Sequence, residues 1–148
     1  MKLVVQRVTE ASCTVDGKVT GSIGHGFMVL VGFGLQDDEA TARKMAEKLS
    51  RLRIFDDEEG KINRSIFDVN GKILSISQFT LYANCCKGNR PSFTDALSGE
   101  RAIRLYEYFN SCLRDLSLEV EEGIFGADMK ISLVNDGPVT IILDSKEL

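Results

Sequence analysis

A glycine-proline pair interrupts a stretch that otherwise reads as β-strand: "NDGPVT", residues 135–140, stands between the apolar runs "KISLV" and "TIILD". Proline supplies no N–H to a ladder, so Pro138 restricts this segment to a strand start, a sheet edge or a loop projecting from the sheet. Gly137 carries no side chain, which lets bare backbone carbonyls approach a neighbour closely. The identity of that neighbour is the first question the chain poses.

The rest of the sequence supplies the surroundings. "KLVVQRV", "SCTV", "KVTGSI" and "FMVLVGF" are strand-like runs separated by the turn signals "DGK" and "GHG", which predict antiparallel hairpins. Acids then bases, with Ala42, Met45, Ala46, Leu49 and Leu52 at helical spacing, predict a helix over residues 38–53. "ILSISQFTLYA" is β-branched and aromatic and reads as a buried strand that breaks at the loop "NCCKGNRPSF". A second helix is expected over 99–114, with Ser98 as N-cap and Ala102, Leu105, Tyr106, Phe109 and Leu113 on its packed face. With "LSLEVEEG", "FGADMKISLV" and "PVTIILD" as closing strands, residues 1–148 predict one α+β domain, its helices covering a mostly antiparallel sheet.

Charge and cysteine usage narrow the function classes. A net charge of −4 is the opposite of the basic footprint of a protein that holds long nucleic acid, although a local basic patch still suffices for a few phosphates. Cys13, Cys85, Cys86 and Cys112 have no zinc-type spacing, so reduced thiols and no metal or other cofactor are expected. The start "MKLVVQRVTEAS" has Arg7 after a few apolar residues, fits neither a signal peptide nor a membrane span, and predicts a cytoplasmic protein with no membrane partner.

Hydrolytic machinery is sparse. His25, the sole histidine, lies in "GHG" and reads as a surface turn residue rather than a general base. "DDEEG" and "EVEEG" read as solvated turns, and no phosphate-binding glycine loop is present. Three polar segments stand out, "SQFTLYA", "KGNRPSF" and "NDGPVT"; each taken alone fits an ordinary strand, turn or strand entry.

Together they carry a resemblance. With "VQRVTEASCTVDG", "LRIFDDEEGKIN", "LYEYF" and "GIFGADM", they make the chain similar, end to end, to the D-aminoacyl-tRNA deacylases, compact homodimeric enzymes that hydrolyse D-amino acids from tRNA. The resemblance implies a barrel-like core covered by two main helices and a Gly137–Pro138 peptide in the cis form, inserted into the active site of a second copy. Its carbonyls would hold the substrate amino group, and an L side chain would strike the backbone wall, so D-aminoacyl-tRNA and also glycyl-tRNA are the implied substrates. Ser77, Gln78, Phe79 and Thr80 would line the pocket around the 3′ CCA end. Phe125 and Met129 are implied pocket residues, Arg7 would orient the Gly-Pro turn, and Lys87 and Arg90 would meet phosphates.

Two mechanisms fit. Thr80 as nucleophile needs a base that the chain does not offer; the ribose 2′-OH assisting a water, with backbone N–H groups around Phe79 and Thr80 stabilising the oxyanion, needs none and is favoured. "NCC" departs from the aspartate, threonine or lysine common there in the family. Rival readings are a non-catalytic RNA-binding module, an L-specific editing domain of a synthetase, and a cysteine hydrolase built on Cys86 and His25.

Overall fold

The computed structural model describes residues 1–148. Its frame is a long hairpin: β1 (Lys2–Val15) turns through Asp16 and Gly17, both at positive φ as a two-residue hairpin loop requires, into β2 (Lys18–Ile23). β3 (Gly26–Gly32) continues the same ladder along β1 after a break at Gly24 and His25, with Ala11 opposite Ile23 and Val8 opposite Gly26. "SCTV" is thus the far half of one strand rather than a separate one.

Two crossovers add parallel strands. From β3 the chain runs through α1 (Glu39–Ser50), the small hairpin β4 (Arg53–Asp56) and β5 (Ile62–Ser65), and returns as β6 (Lys72–Ser77) beside β3. It then passes through α2 (Gly99–Asp115) to β7 (Val120–Glu122), which pairs with β6. Parallel neighbours need such long connections, and here each carries a helix. A side chain on Gly21 would stand 2.8 Å from the Glu122 carbonyl, so β2 and β7 approach closely and the sheet nearly closes into a barrel. The antiparallel majority and the two covering helices agree with the sequence reading; the parallel pairs of β6 were not foreseen.

Alternation along the strands separates two cores. Phe27, Val29 and Val31 point to the helices, where Met45, Leu49, Leu105 and Phe109 meet them. Met28, Leu74 and Ile76 point into the barrel with Val8 and Cys13. Asp38 caps α1 by accepting from the Thr41 N–H at 2.8 Å. That helix stops at Ser50, because Arg53 already starts β4, so the expected span to 53 was too long. Ser98 holds the N-cap position of α2 but its hydroxyl makes no capping bond. No helix is long and apolar enough to cross a membrane.

β8 (Lys130–Asp144) answers the structural half of the Gly-Pro question. It pairs with the outer edge of β1, Gln6 opposite Thr140 and Val8 opposite Asn135. The segment from Asp136 to Val139 therefore faces Arg7 alone and projects from the ladder. The other edge of β8 has no partner strand, and Val134 and Ile142 on it are 49% and 70% exposed.

Candidate functional site

"SQFTLYA" does not continue as strand. β6 ends at Ser77, the Gln78 N–H still donates to the Val31 carbonyl at 2.7 Å, and Phe79–Tyr82 then winds into a 3-10 turn. The turn's bonds begin with the Leu81 N–H on the Gln78 carbonyl, so the N–H groups of Phe79 and Thr80 precede its hydrogen-bonding pattern. Apolar β-type side chains misled the reading: two of them, Leu81 and Tyr82, pack on the glycines of β3's end, where a side chain on Gly34 would stand 2.7 Å from the Tyr82 ring.

This change of direction opens a pocket of about 270 Å³. Ser77, Gln78 and Phe79 form one side, Phe125 and Met129 another, and Val31, Phe33, Leu97 and Ala102 lie deeper. The sequence reading missed the last four, since apolar residues at strand and helix spacing carry no signal beyond core. Phe79, 51% exposed, meets Phe93 edge-on at 5.2 Å, which sets an aromatic lip at the mouth. Behind the pocket, Tyr106 of α2 donates to the Ser75 carbonyl at 2.7 Å, tying the helix to β6; burial pushes its phenol up from the ordinary value.

Thr80 is exposed beside the pocket, and its hydroxyl has one hydrogen-bond partner, the donating side-chain amide of Gln78. No histidine or carboxylate reaches it. Lys87 and Arg90 are exposed on the loop that the Asn84–Ser92 bridge closes and that leads into Phe93. Cys86 lines a separate groove with Tyr82 and Asn84, whereas His25 packs edge-on against Phe55, so the two halves of a cysteine hydrolase do not meet.

Arg7, Gly137 and Pro138 form a second constellation, and none of them lines the pocket. The Gly137–Pro138 peptide is cis. Arg7 is buried and donates from Nε to the Asp136 carbonyl at 3.0 Å and from a terminal nitrogen to the Ile54 carbonyl at 2.8 Å. The carboxylates of Asp56 and Asp136 flank it at 3.2 and 3.3 Å. His25 Nε2 lies 3.7 Å from the same Asp136 carboxylate. Arg7 pairs with Phe27 and the pocket begins at Val31, four residues on, roughly 13 Å along the strand. Within one chain the two constellations therefore stand apart.

A third feature was not foreseen. Asp37, next to the α1 cap Asp38, accepts from the Met1 ammonium at 2.5 Å and from the Gly34 N–H at 2.6 Å, and the Tyr82 hydroxyl stands 3.3 Å away. Burial and the Asp37 charge push the Tyr82 phenol far up. The 3-10 turn is therefore pinned from behind by the amino terminus.

The sequence model of the D-Tyr-tRNA(Tyr) deacylase family matches residues 4–144. The chain belongs to this family. A D-aminoacyl-tRNA deacylase of Deinococcus radiodurans is 59% identical over 97% of this chain and 99% of its own length. One from Bacillus velezensis is 55% identical over 99% of this chain and all of its own length. Among solved structures, the c-Myc DNA unwinding element binding protein superposes with a TM-score of 0.91 at 44% identity, covering 97% of this chain and 98% of that one. The deacylase family signature thus spans both constellations, the pocket strand and the Gly-Pro excursion.

Proposed function

We propose that this protein is a D-aminoacyl-tRNA deacylase, an ester hydrolase that releases free D-amino acid and tRNA, and that its working site joins the pocket of one protomer to the Gly137–Pro138 excursion of a second. The observation that carries the reading is the separation of the two constellations within one chain, together with the unpaired outer edge of β8 that bears the excursion. In a two-fold dimer each subunit gives the same patch that it receives, so both sites are completed at once.

The excursion's carbonyls accept hydrogen bonds from the substrate amino group, and the backbone wall excludes an L side chain. Glycine has no side chain to exclude, so glycyl-tRNA is a second substrate. Phe79 gives the terminal adenine a stacking surface, and Phe125 and Met129 bound the amino-acid space. Water, assisted by the ribose 2′-OH, attacks the ester carbonyl. The oxyanion is held by the Phe79 and Thr80 N–H groups, and the 3′-oxygen leaves with a proton. Thr80 has no base at hand to act as nucleophile. Ser77 and Gln78 position the turn, Arg7 fixes the excursion, and Lys87 and Arg90 meet phosphates near the 3′ end.

Purified, metal-chelated protein mixed in parallel with D-tyrosyl-tRNA and L-tyrosyl-tRNA tests the activity. Loss of the D ester alone is expected; binding without turnover of either would leave a non-catalytic RNA-binding module as the better account. The shared site is tested by complementation. A Gly137 variant and a pocket variant, each inactive alone, should recover about a quarter of native activity when co-expressed, because half the dimers carry one intact site. No recovery in verified heterodimers would refute the shared site.

A further inference from the structure

The net charge of −4 conceals a cationic face. Lys44 and Lys48 of α1 and its C-cap Arg51 follow one another at i, i+4 and i+7, the spacing that aligns side chains along one side of a helix, and all three are exposed. With Arg53 they line a groove of about 440 Å³ whose one acidic side chain is Glu47. The side chains of Lys48 and Arg51 have no partner, Lys44 meets the main-chain oxygen of Leu148 and Arg53 donates to Asn63, whereas Lys61, Lys72, Arg114 and Lys130 are in ion pairs. A chain with more acids than bases has left Lys48 and Arg51 without a partner.

Through the C-terminal residues the groove adjoins a second one. Leu148 lies in the α1 groove, its carbonyl 2.5 Å from Lys44 Nζ, and Lys146 lines the neighbouring groove with Lys2. That second groove also includes Tyr82, the last residue of the 3-10 turn that begins with Phe79. Lys2 sits over the Tyr82 ring at 5.2 Å. The acids along the way are Asp37, Asp95 and Asp144. Asp37 is matched by the Met1 ammonium, and Asp144 faces Lys2 at 3.8 Å. Lys146 and Asp95 remain, so this second groove is near neutral and the positive charge is concentrated on Lys44, Lys48, Arg51 and Arg53.

We propose that this α1 groove receives the sugar-phosphate backbone of the aminoacyl-tRNA stem whose 3′ end occupies the pocket. The inference rests on the deacylase reading and extends it from the terminal nucleotides to the duplex behind them. Phosphates fit better than an acidic protein segment, because long, exposed cations track a charged backbone without demanding a particular side-chain geometry. Away from this groove and from Lys87 and Arg90, the net acidic surface disfavours RNA, which orients the approach.

The variant Lys44→Ala/Lys48→Ala/Arg51→Ala keeps good helix formers on α1 and removes the three charges. Binding of uncharged tRNA is measured across salt for both proteins, and hydrolysis is measured on D-aminoacyl-tRNA and on a D-aminoacylated 3′-terminal trinucleotide. The variant's slope of log affinity against log salt should be shallower by about 2.7. Between roughly 50 and 200 mM salt the native protein should then lose about 40-fold more affinity than the variant. KM for the full tRNA should rise, with kcat and the trinucleotide reaction unchanged. Equal salt slopes in a variant with a native circular dichroism spectrum and melting curve would overturn the proposal, as would an equal loss on the trinucleotide. Failure of the native protein to hydrolyse any D-aminoacyl ester would instead defeat the deacylase reading, while the salt slopes would still decide the groove.

Discussion

Replacing Arg7 by methionine isolates what holds the Gly-Pro excursion. Methionine keeps a long apolar stem, so packing is nearly preserved and the loss is polar. The Ile54 carbonyl, buried in its bond to Arg7, is left without that donor; stranding such a group costs about 1–3 kcal/mol. The Asp56 and Asp136 carboxylates are 50% and 37% exposed and turn to water, so each loses at most about 1 kcal/mol. The expected destabilisation is about 2–4 kcal/mol. At about 2–4 °C per kcal/mol for a chain of this size, the melting temperature should drop by roughly 5–15 °C. Urea unfolding monitored by circular dichroism gives the free energy, and an unchanged m-value would show that the unfolded reference is the same. In parallel, the ratio of D- to L-tyrosyl-tRNA hydrolysis should fall, because the Asp136 carbonyl that Arg7 holds lies directly before Gly137. A loss below about 1 kcal/mol would refute the role of Arg7 as the tie between β1, β4 and the excursion.

Gly137→Ala places a Cβ 3.1 Å from Val139 and 3.2 Å from Arg7 at a backbone φ of +122°; a cost of about 1–3 kcal/mol and a sharp loss of deacylation are expected, and native stability by urea titration would contradict it. Thr80→Ala should retain substantial turnover on D-tyrosyl-tRNA, whereas complete loss with an intact fold would restore Thr80 as nucleophile. Cys85→Ser/Cys86→Ser should deacylate at the native rate, and abolished turnover would revive a thiol mechanism. Asp38, Asp57 and Asp68 are held below the ordinary value of 3.8 chiefly by backbone N–H bonds from Thr41, Lys61 and Ser65 respectively. The unfolded chain therefore binds more protons in that range, and stability should decline as pH falls from 3.8 through the folded-state values. The triple asparagine variant should show a shallower decline in melts from pH 5 to pH 2, and an identical one would discount these bonds.

Local chemistry was legible where a residue acts through its own backbone or its immediate neighbours. "DG" at 16–17 specified the β1–β2 turn, the spacing of Ala42 to Leu49 and of Ala102 to Leu113 specified the packed faces of both helices, and Pro138 announced a break in the last strand. Motif resemblance named the pocket strand and the excursion. Legibility failed where β propensity competes with packing: Phe79–Tyr82 looks like strand and is a 3-10 turn, because its ring and aliphatic groups find their partners on Gly32 and Gly34.

Sequence alone, then, determined the fold class, the helices, the break at Gly137–Pro138 and the family, since each depends on short-range patterns or on a motif. Only the tertiary structure decided that Arg7 ties that segment to β4, that the amino terminus meets Asp37 behind Tyr82, and that Lys44, Lys48, Arg51 and Arg53 line one groove. These contacts join residues remote in the chain, and burial and Coulomb interaction depend on distance in space, which no local pattern encodes.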